Sequence, residues 1–243
     1  MHNIRKLLKR NIGKKMLLIL PHPDDAAYVS GGLIQIAQKY SIKTKLICLT
    51  IGGRRILPKD NKSASKLKDI REKELEKANK FLGLDDLTLW DLEDGNLIKT
   101  KSDWLSKLNR EIENSKPSLI VTFDHSGITG HPDHLVVSKV VFDLTKKFKN
   151  KPNLLLRVPD TQEINYFKDN KAINFAQRPN QKLEYSFGIS LNKIKAILAH
   201  KSQIKNLLFA LQILEWYLFD HQELYHLVDY KKKYPVELSF KYI

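Results

Sequence analysis

Short apolar runs of strand length alternate with longer stretches of helical spacing along most of this chain, and that alternation restricts the fold more than any other feature. Residues 16–20 form a continuous apolar run that reads as a buried strand, and a helix begins near Ala26 and continues to Tyr40. Residues 45–51 read as a second strand, closed by Gly52-Gly53. Over residues 65–82, Leu67, Ile70, Leu75, Ala78 and Leu82 stand at helical spacing, and Gly83 is the stop signal. Further strands at 87–90, 118–123 and 153–158 alternate with helices at 104–112 and 135–144. Such alternation argues for a parallel sheet covered on both faces.

The expected fold class is therefore α/β, a Rossmann-like and mostly parallel sheet with helices on both faces. Residues 160–190 are polar and irregular, with room for an antiparallel strand or two. Residues 194–219 read as one long helix or a broken pair, and residues 234–243 as a final strand. With 243 residues the chain is long enough for one sizeable core. The expected division is a basic lead-in over 1–15, amphipathic around Ile4, Leu7 and Leu8, then one domain over 16–243 with a small C-terminal extension.

Composition excludes several function classes. A single cysteine, Cys48, rules out an internal disulfide framework and a thiolate metal cluster; its apolar surroundings read as a buried thiol. The run at 16–20 is too short for a secretory signal. The apolar stretch Leu207–Phe219 is interrupted by Gln212 and Glu215 and is too short to span a bilayer, so the chain is expected in the cytoplasm or, at most, peripheral to a membrane. Burial in the core is the simplest fate for that stretch, with a homo-oligomer interface or contact with a lipid-linked substrate as the sharper alternatives. Against 27 Asp+Glu stand 42 Lys+Arg, a formal net charge of +15. That excess would suit an acidic partner, but the lysines are scattered rather than gathered in one arm. A nucleic-acid or membrane-binding protein without catalysis would rest on the charge alone and would bind with strong salt dependence.

Two segments carry chemistry: Pro21-His22-Pro23-Asp24-Asp25 and Gly130-His131-Pro132-Asp133-His134. Each follows an expected strand and opens an expected helix, the place where open α/β sheets bind ligands. Two imidazoles and a carboxylate with open positions suit a catalytic zinc, and non-haem iron(II) equally. Asp24 and Asp25 are adjacent and cannot easily both face one ion, so one would ligate while the other accepts a proton from water activated by the metal. His131 and His134 lie about one helical turn apart; one would ligate and the other stabilise an oxyanion or protonate a leaving amine. Residue type alone does not choose within either pair.

At these residues the chain resembles the LmbE-like (PIG-L) family of zinc-dependent N-acetylglucosaminyl deacetylases. His22-Pro23-Asp24-Asp25 followed by Gly31-Gly32 matches the first signature of that family, and Gly130-His131-Pro132-Asp133-His134 the second. Arg71 with Glu74-Leu75, Asp94-Gly95, Lys195-Ala196 with His200, Ser202 and Gln203, and Glu223 with Leu224-Tyr225 extend the resemblance over most of the chain. The resemblance implies removal of an N-acetyl group from an N-acetylglucosamine-containing small molecule or glycoconjugate. It implies His22, Asp25 and His134 as zinc ligands, Asp24 as general base, His131 as oxyanion stabiliser or acid, and Asp133 as the group tuning His131. Arg71 and Asp94 would contact the sugar. Two departures stand out: Ala26 where the signature commonly continues with Glu, and the basic loop Gly52-Gly53-Arg54-Arg55. Arg54 and Arg55 join the expected substrate contacts, because guanidinium forks suit a carboxylate or phosphate beside the sugar. The same fold and metal acting on a non-sugar amide is the neighbouring alternative.

Overall fold

A computed structural model describes residues 1–53, 61–204, 207–232 and 234. The described strands form one eight-stranded sheet, in the order β1-β7-β8-β6-β5-β2-β3-β4. They are β1 (His2–Asn3), β2 (Lys15–Leu20), β3 (Lys43–Thr50), β4 (Asp86–Leu92), β5 (Leu119–Phe123), β6 (Asn153–Arg157), β7 (Gln181–Glu184) and β8 (Gln222–Leu227). The run from β4 through β3, β2 and β5 to β6 is parallel throughout. Only β8 runs against its neighbours, pairing antiparallel with both β6 and β7. The fold is the expected mostly parallel α/β sheet.

Strand residues alternate between the two faces, and the helices divide accordingly. Met16, Leu18 and Leu20 of β2 pack with α2 (Asp25–Lys39), α3 (Asn61–Leu82) and α7 (Phe187–Ala199). Leu17 and Ile19 pack on the opposite face with α4 (Lys101–Ser115) and α5 (Pro132–Lys147). This is why residues 16–20 read as an unbroken apolar run and why β5 is apolar but for Thr122: each strand is buried on both sides. Trp104 anchors α4, fully buried and donating its indole N–H to the Leu97 carbonyl at 3.0 Å. Trp104→Ala is expected to lower the unfolding free energy by about 3–5 kcal/mol in urea titration; a loss below about 1 kcal/mol would contradict that packing.

Several expectations change. The lead-in is built into the sheet, since His2 and Asn3 pair with Gln181 and Lys182 and are followed by α1 (Arg5–Lys9). The irregular region contains α6 (Thr161–Tyr166), a 3₁₀ turn at Lys171–Phe175 and β7. Residues 194–219 resolve into the broken pair, α7 and α8 (Leu207–Phe219). Full burial of Leu207–Phe219 is not what the structure shows: Leu207, Leu208 and Phe219 are 74%, 77% and 82% exposed, whereas Ile213 is buried. The helix is apolar on its outer side as well as its inner one. Of the strand expected at 234–243, all but Tyr234 lies outside the described residues. No described helix is long and apolar enough to cross a membrane.

Candidate metal centre and active site

The strand order reverses between β2 and β5, with β3 and β4 laid to one side and β6 to the other. At such a switch point the connecting helices diverge to opposite faces and leave a crevice beyond the carboxyl ends of the strands. Both His/Asp clusters fall there. The first follows β2 and opens α2; the second follows β5 and opens α5. Sheet pairing of Leu18 with Val121 brings them together although more than 100 residues separate them in the chain.

Three side chains converge in the crevice. His22 Nδ1 lies 3.1 Å from His134 Nε2. Asp25 Oδ2 is 3.4 Å from His22 Nδ1, and Asp25 Oδ1 is 3.4 Å from His134 Nε2. Two ligands bound to one ion at 2.0–2.1 Å with tetrahedral angles stand about 3.3–3.4 Å apart, so these spacings fit a single small metal ion. Each donor is aimed by a second bond. His134 Nδ1 donates to the Gly127 carbonyl at 2.9 Å, which leaves Nε2 with its lone pair towards the cluster. The His134 ring stacks on Phe123 with centroids 3.9 Å apart. Gly127 has φ +62, and a Cβ there would come 2.8 Å from that of His134, so the close approach requires glycine. His22 Nε2 meets Asp94 Oδ1 at 3.1 Å, and Asp25 Oδ2 accepts the His22 backbone N–H at 2.8 Å.

The electrostatics favour a cation. Burial opposes charge on His22, yet Asp25, Asp133 and Asp94 together hold its pKa well above the ordinary value. Burial would raise the Asp25 carboxyl, but His134 and His22 outweigh it and keep it far below the usual range. The carboxylates thus make the crevice favourable to positive charge. Asp24, half-buried, behaves oppositely: burial and then the charge of Asp25 push it up to about 6. It lines the cavity and makes no capping bond to α2.

His131 is the N-cap of α5, its Nδ1 accepting the Asp133 backbone N–H at 3.2 Å. Its remaining ring proton therefore sits on Nε2. Burial and then His22 and His134 depress its pKa to about 4, which keeps the ring neutral. Asp133 reaches His131 through that backbone N–H and its charge, not through a carboxylate bond. Its fully buried carboxylate accepts instead from the Gly95 and Leu97 backbones at 2.6 and 3.1 Å. A wider ring of donors surrounds the triad: His22, His131 and His134 each bring a nitrogen within 4.8 Å of the others, as do ligand atoms of His22, Asp94, His131 and Asp133.

The donors open onto a cavity of about 490 Å³ that Asp94, Arg71 and His131 also line. Arg71 is buried, and among the described residues its Nε and Nη1 have no hydrogen-bond partner. Glu74, one turn on, accepts from the Ser202 hydroxyl and backbone rather than pairing with Arg71. Arg54 and Arg55 lie outside the described residues. Ile213, Trp216 and Tyr217 of the apolar stretch also line the cavity, and nothing in the sequence signalled the residues that join them, Tyr166, Phe167 and Glu163, the last held by Arg157 through two 3.0 Å bonds.

The sequence profile described as PIG-L: GlcNAc-PI de-N-acetylase matches residues 17–145, more than half of the 243-residue chain. The chain belongs to the PIG-L family. Both clusters fall within the matched span. Among curated relatives, the probable N-acetyl-α-D-glucosaminyl L-malate deacetylase 2 of Bacillus anthracis is 28% identical over 200 residues, covering 78% of this chain and 81% of the relative. Solved PIG-L-like folds include the N,N'-diacetylchitobiose deacetylase of Pyrococcus horikoshii, with TM-score 0.67, 20% identity, and 96% and 93% of the two chains covered. The 4-carboxy-2-hydroxymuconate hydratase of Pseudomonas putida superposes with TM-score 0.63 at 16% identity, over 89% of this chain and 96% of its own. The fold thus hosts more than one reaction, and the chemistry lies in the site rather than in the fold.

Proposed function

We propose that the chain is a metal-dependent hydrolase that removes the N-acetyl group from an N-acetylglucosamine-containing small molecule or glycoconjugate, releasing acetate and a free amine. The observation that carries the reading is the mutual 3.1–3.4 Å spacing of His22, Asp25 and His134 at the switch point of the sheet. Family membership and the deacetylase named for the Bacillus anthracis relative point the same way.

His22, Asp25 and His134 would hold the metal, and two imidazoles with one carboxylate suit zinc or iron(II). A divalent ion there would polarise the acetyl carbonyl and lower the pKa of water. Asp25 is assigned as ligand over Asp24 because both its oxygens face the imidazoles. Asp24, with a pKa near neutrality, takes the proton from the attacking water and passes it to the departing nitrogen. The His131 Nε2–H donates to the carbonyl oxygen as negative charge develops on it. A neutral ring with a fixed tautomer makes that donor available at all working pH values. Asp133 fixes the tautomer through its backbone and locks the Asp94 loop through its carboxylate. Asp94 and Arg71 orient the sugar, and the two Arg71 nitrogens that have no partner among the described residues would meet a hydroxyl or an acidic group of the substrate.

The test is metal analysis of the purified protein, joined to amine release from N-acetylated sugars, sugar acids and glycolipids. About one metal per chain with release from an N-acetylglucosaminyl compound is expected. Release only from non-sugar amides would move the activity to another substrate class, and a protein that takes up no metal would overturn the reading.

A further inference from the structure

Helix α2 is not continuous. Ser30 breaks it with φ −144 and ψ 18, so a short segment carrying Asp25 precedes a longer one from Gly31. In an unbroken helix the N–H groups of Gly32 and Leu33 would bond to the carbonyls of Tyr28 and Val29. Here they turn to Glu223 of β8, whose Oε1 accepts from Gly32 at 2.8 Å and Oε2 from Leu33 at 2.9 Å. The carboxylate acts as an internal N-terminal cap, where negative charge and exposed N–H groups are complementary. Tyr225, two residues on, donates its hydroxyl to Glu223 Oε2 at 2.8 Å and lies 3.3 Å from the freed Val29 carbonyl and 3.2 Å from Ser30 Oγ. Lys193 of α7 completes the pair at 2.8 Å from Glu223 Oε1, with both side chains wholly buried. Gly32 is seated against Tyr185, where a Cβ would come 2.5 Å from the ring.

We infer that Glu223 and Tyr225 are positioning residues for the reaction: by holding α2 open at Ser30 they set where its first segment delivers Asp24 and Asp25. The inference rests on the reading of Asp25 as a metal ligand. Asp25 comes from α2 but must meet His134, which α5 holds on the other side of the sheet. Both segments of α2 are seated in the core, the first by Ala26, Ala27 and Val29 and the second by Leu33, Ile34, Ile36 and Ala37. Closing the two missing helical bonds would change the angle between the segments, and with it the position of Asp24 and Asp25 relative to His134. Glu223 touches neither donor nor cavity; it acts on the α2 backbone, while its partner Lys193 stands 4.5 Å from the ring centroid of Tyr217 in the cavity wall.

Binding of Co²⁺ to the purified protein tests this, followed by its visible spectrum and by competition with a chromophoric chelator. Tyr225→Phe removes one oxygen and keeps the ring. Glu223→Gln spoils the two-sided cap; because it leaves the Lys193 ammonium without its partner, Glu223→Gln with Lys193→Met is the second variant. Weaker Co²⁺ binding by about tenfold or more, an altered spectrum, and a fall in kcat with KM held are expected, while Tyr225→Phe unfolds within a few degrees of wild type. Folded variants with wild-type affinity and spectrum, losing only thermal stability, would reduce the network to core packing and overturn the inference. A wild-type protein that gives no Co²⁺ spectrum would overturn the metal reading itself, and this inference with it.

Discussion

Asp24→Asn should retain its metal and lose about 10²–10⁴-fold in turnover, the usual contribution of a positioned acid–base group. Asparagine keeps the size and the hydrogen-bonding reach of the side chain but cannot take a proton. Nothing in the ligand geometry depends on this residue: the contacts of 3.1–3.4 Å run among His22, Asp25 and His134. The decisive measurement pairs metal content with amine release on the same preparation. Wild-type turnover in the variant would remove Asp24 from the mechanism. Loss of the metal together with activity would instead make it a ligand.

The complementary expectation concerns the triad. His134→Ala deletes the donor that joins the two halves of the site, so the protein should purify without a firmly held metal and without measurable turnover. The loss should exceed the roughly 10–100-fold that follows from disturbing an outer partner of a ligand. Two further substitutions decide between the donor sets. If Asp25 completes the site, Asp25→Ala loses the metal while His131→Ala keeps it and loses rate. The reverse result would establish three imidazoles as the ligands and leave Asp25 as their orienting carboxylate.

Much of this was legible in the sequence because the parts that matter are locally encoded. Strands β2 and β5 are buried on both faces; β2 runs straight into the first His/Asp cluster and β5 reaches the second across a short loop, so the location of the site follows from short stretches of chain. Strand β8 was not legible, since Glu223 lies fully buried within it and disguises the period of two. Its burial depends on Lys193, 30 residues away, and on helix N–H groups nearly 200 residues away. Helix α6 has only six residues, but a usable signal existed: Asp160 and Glu163 form a reciprocal capping box. The outer face of α8 misled because an all-apolar helix reads as buried, whereas Leu207, Leu208, Leu211 and Phe219 are open to solvent. Gly127, whose carbonyl aims His134, carries no motif that distinguishes it from any loop glycine.

The switch-point arrangement has a consequence for how the molecule comes together. His22 and Asp25 belong to the first strand–helix unit, and His134 to one that begins about a hundred residues later. Until β2 and β5 have paired, nothing holds the two groups of donors together, and no partial structure on either side contains the complete set. A metal held by these residues would bind the native state, and adding it should raise the melting temperature in step with RT ln(1 + [M]/Kd). Because closing so long a loop is slow, the moment at which a refolding chain captures its ion would mark the joining of the centre of the sheet, which makes the ion a reporter of folding order as well as of chemistry.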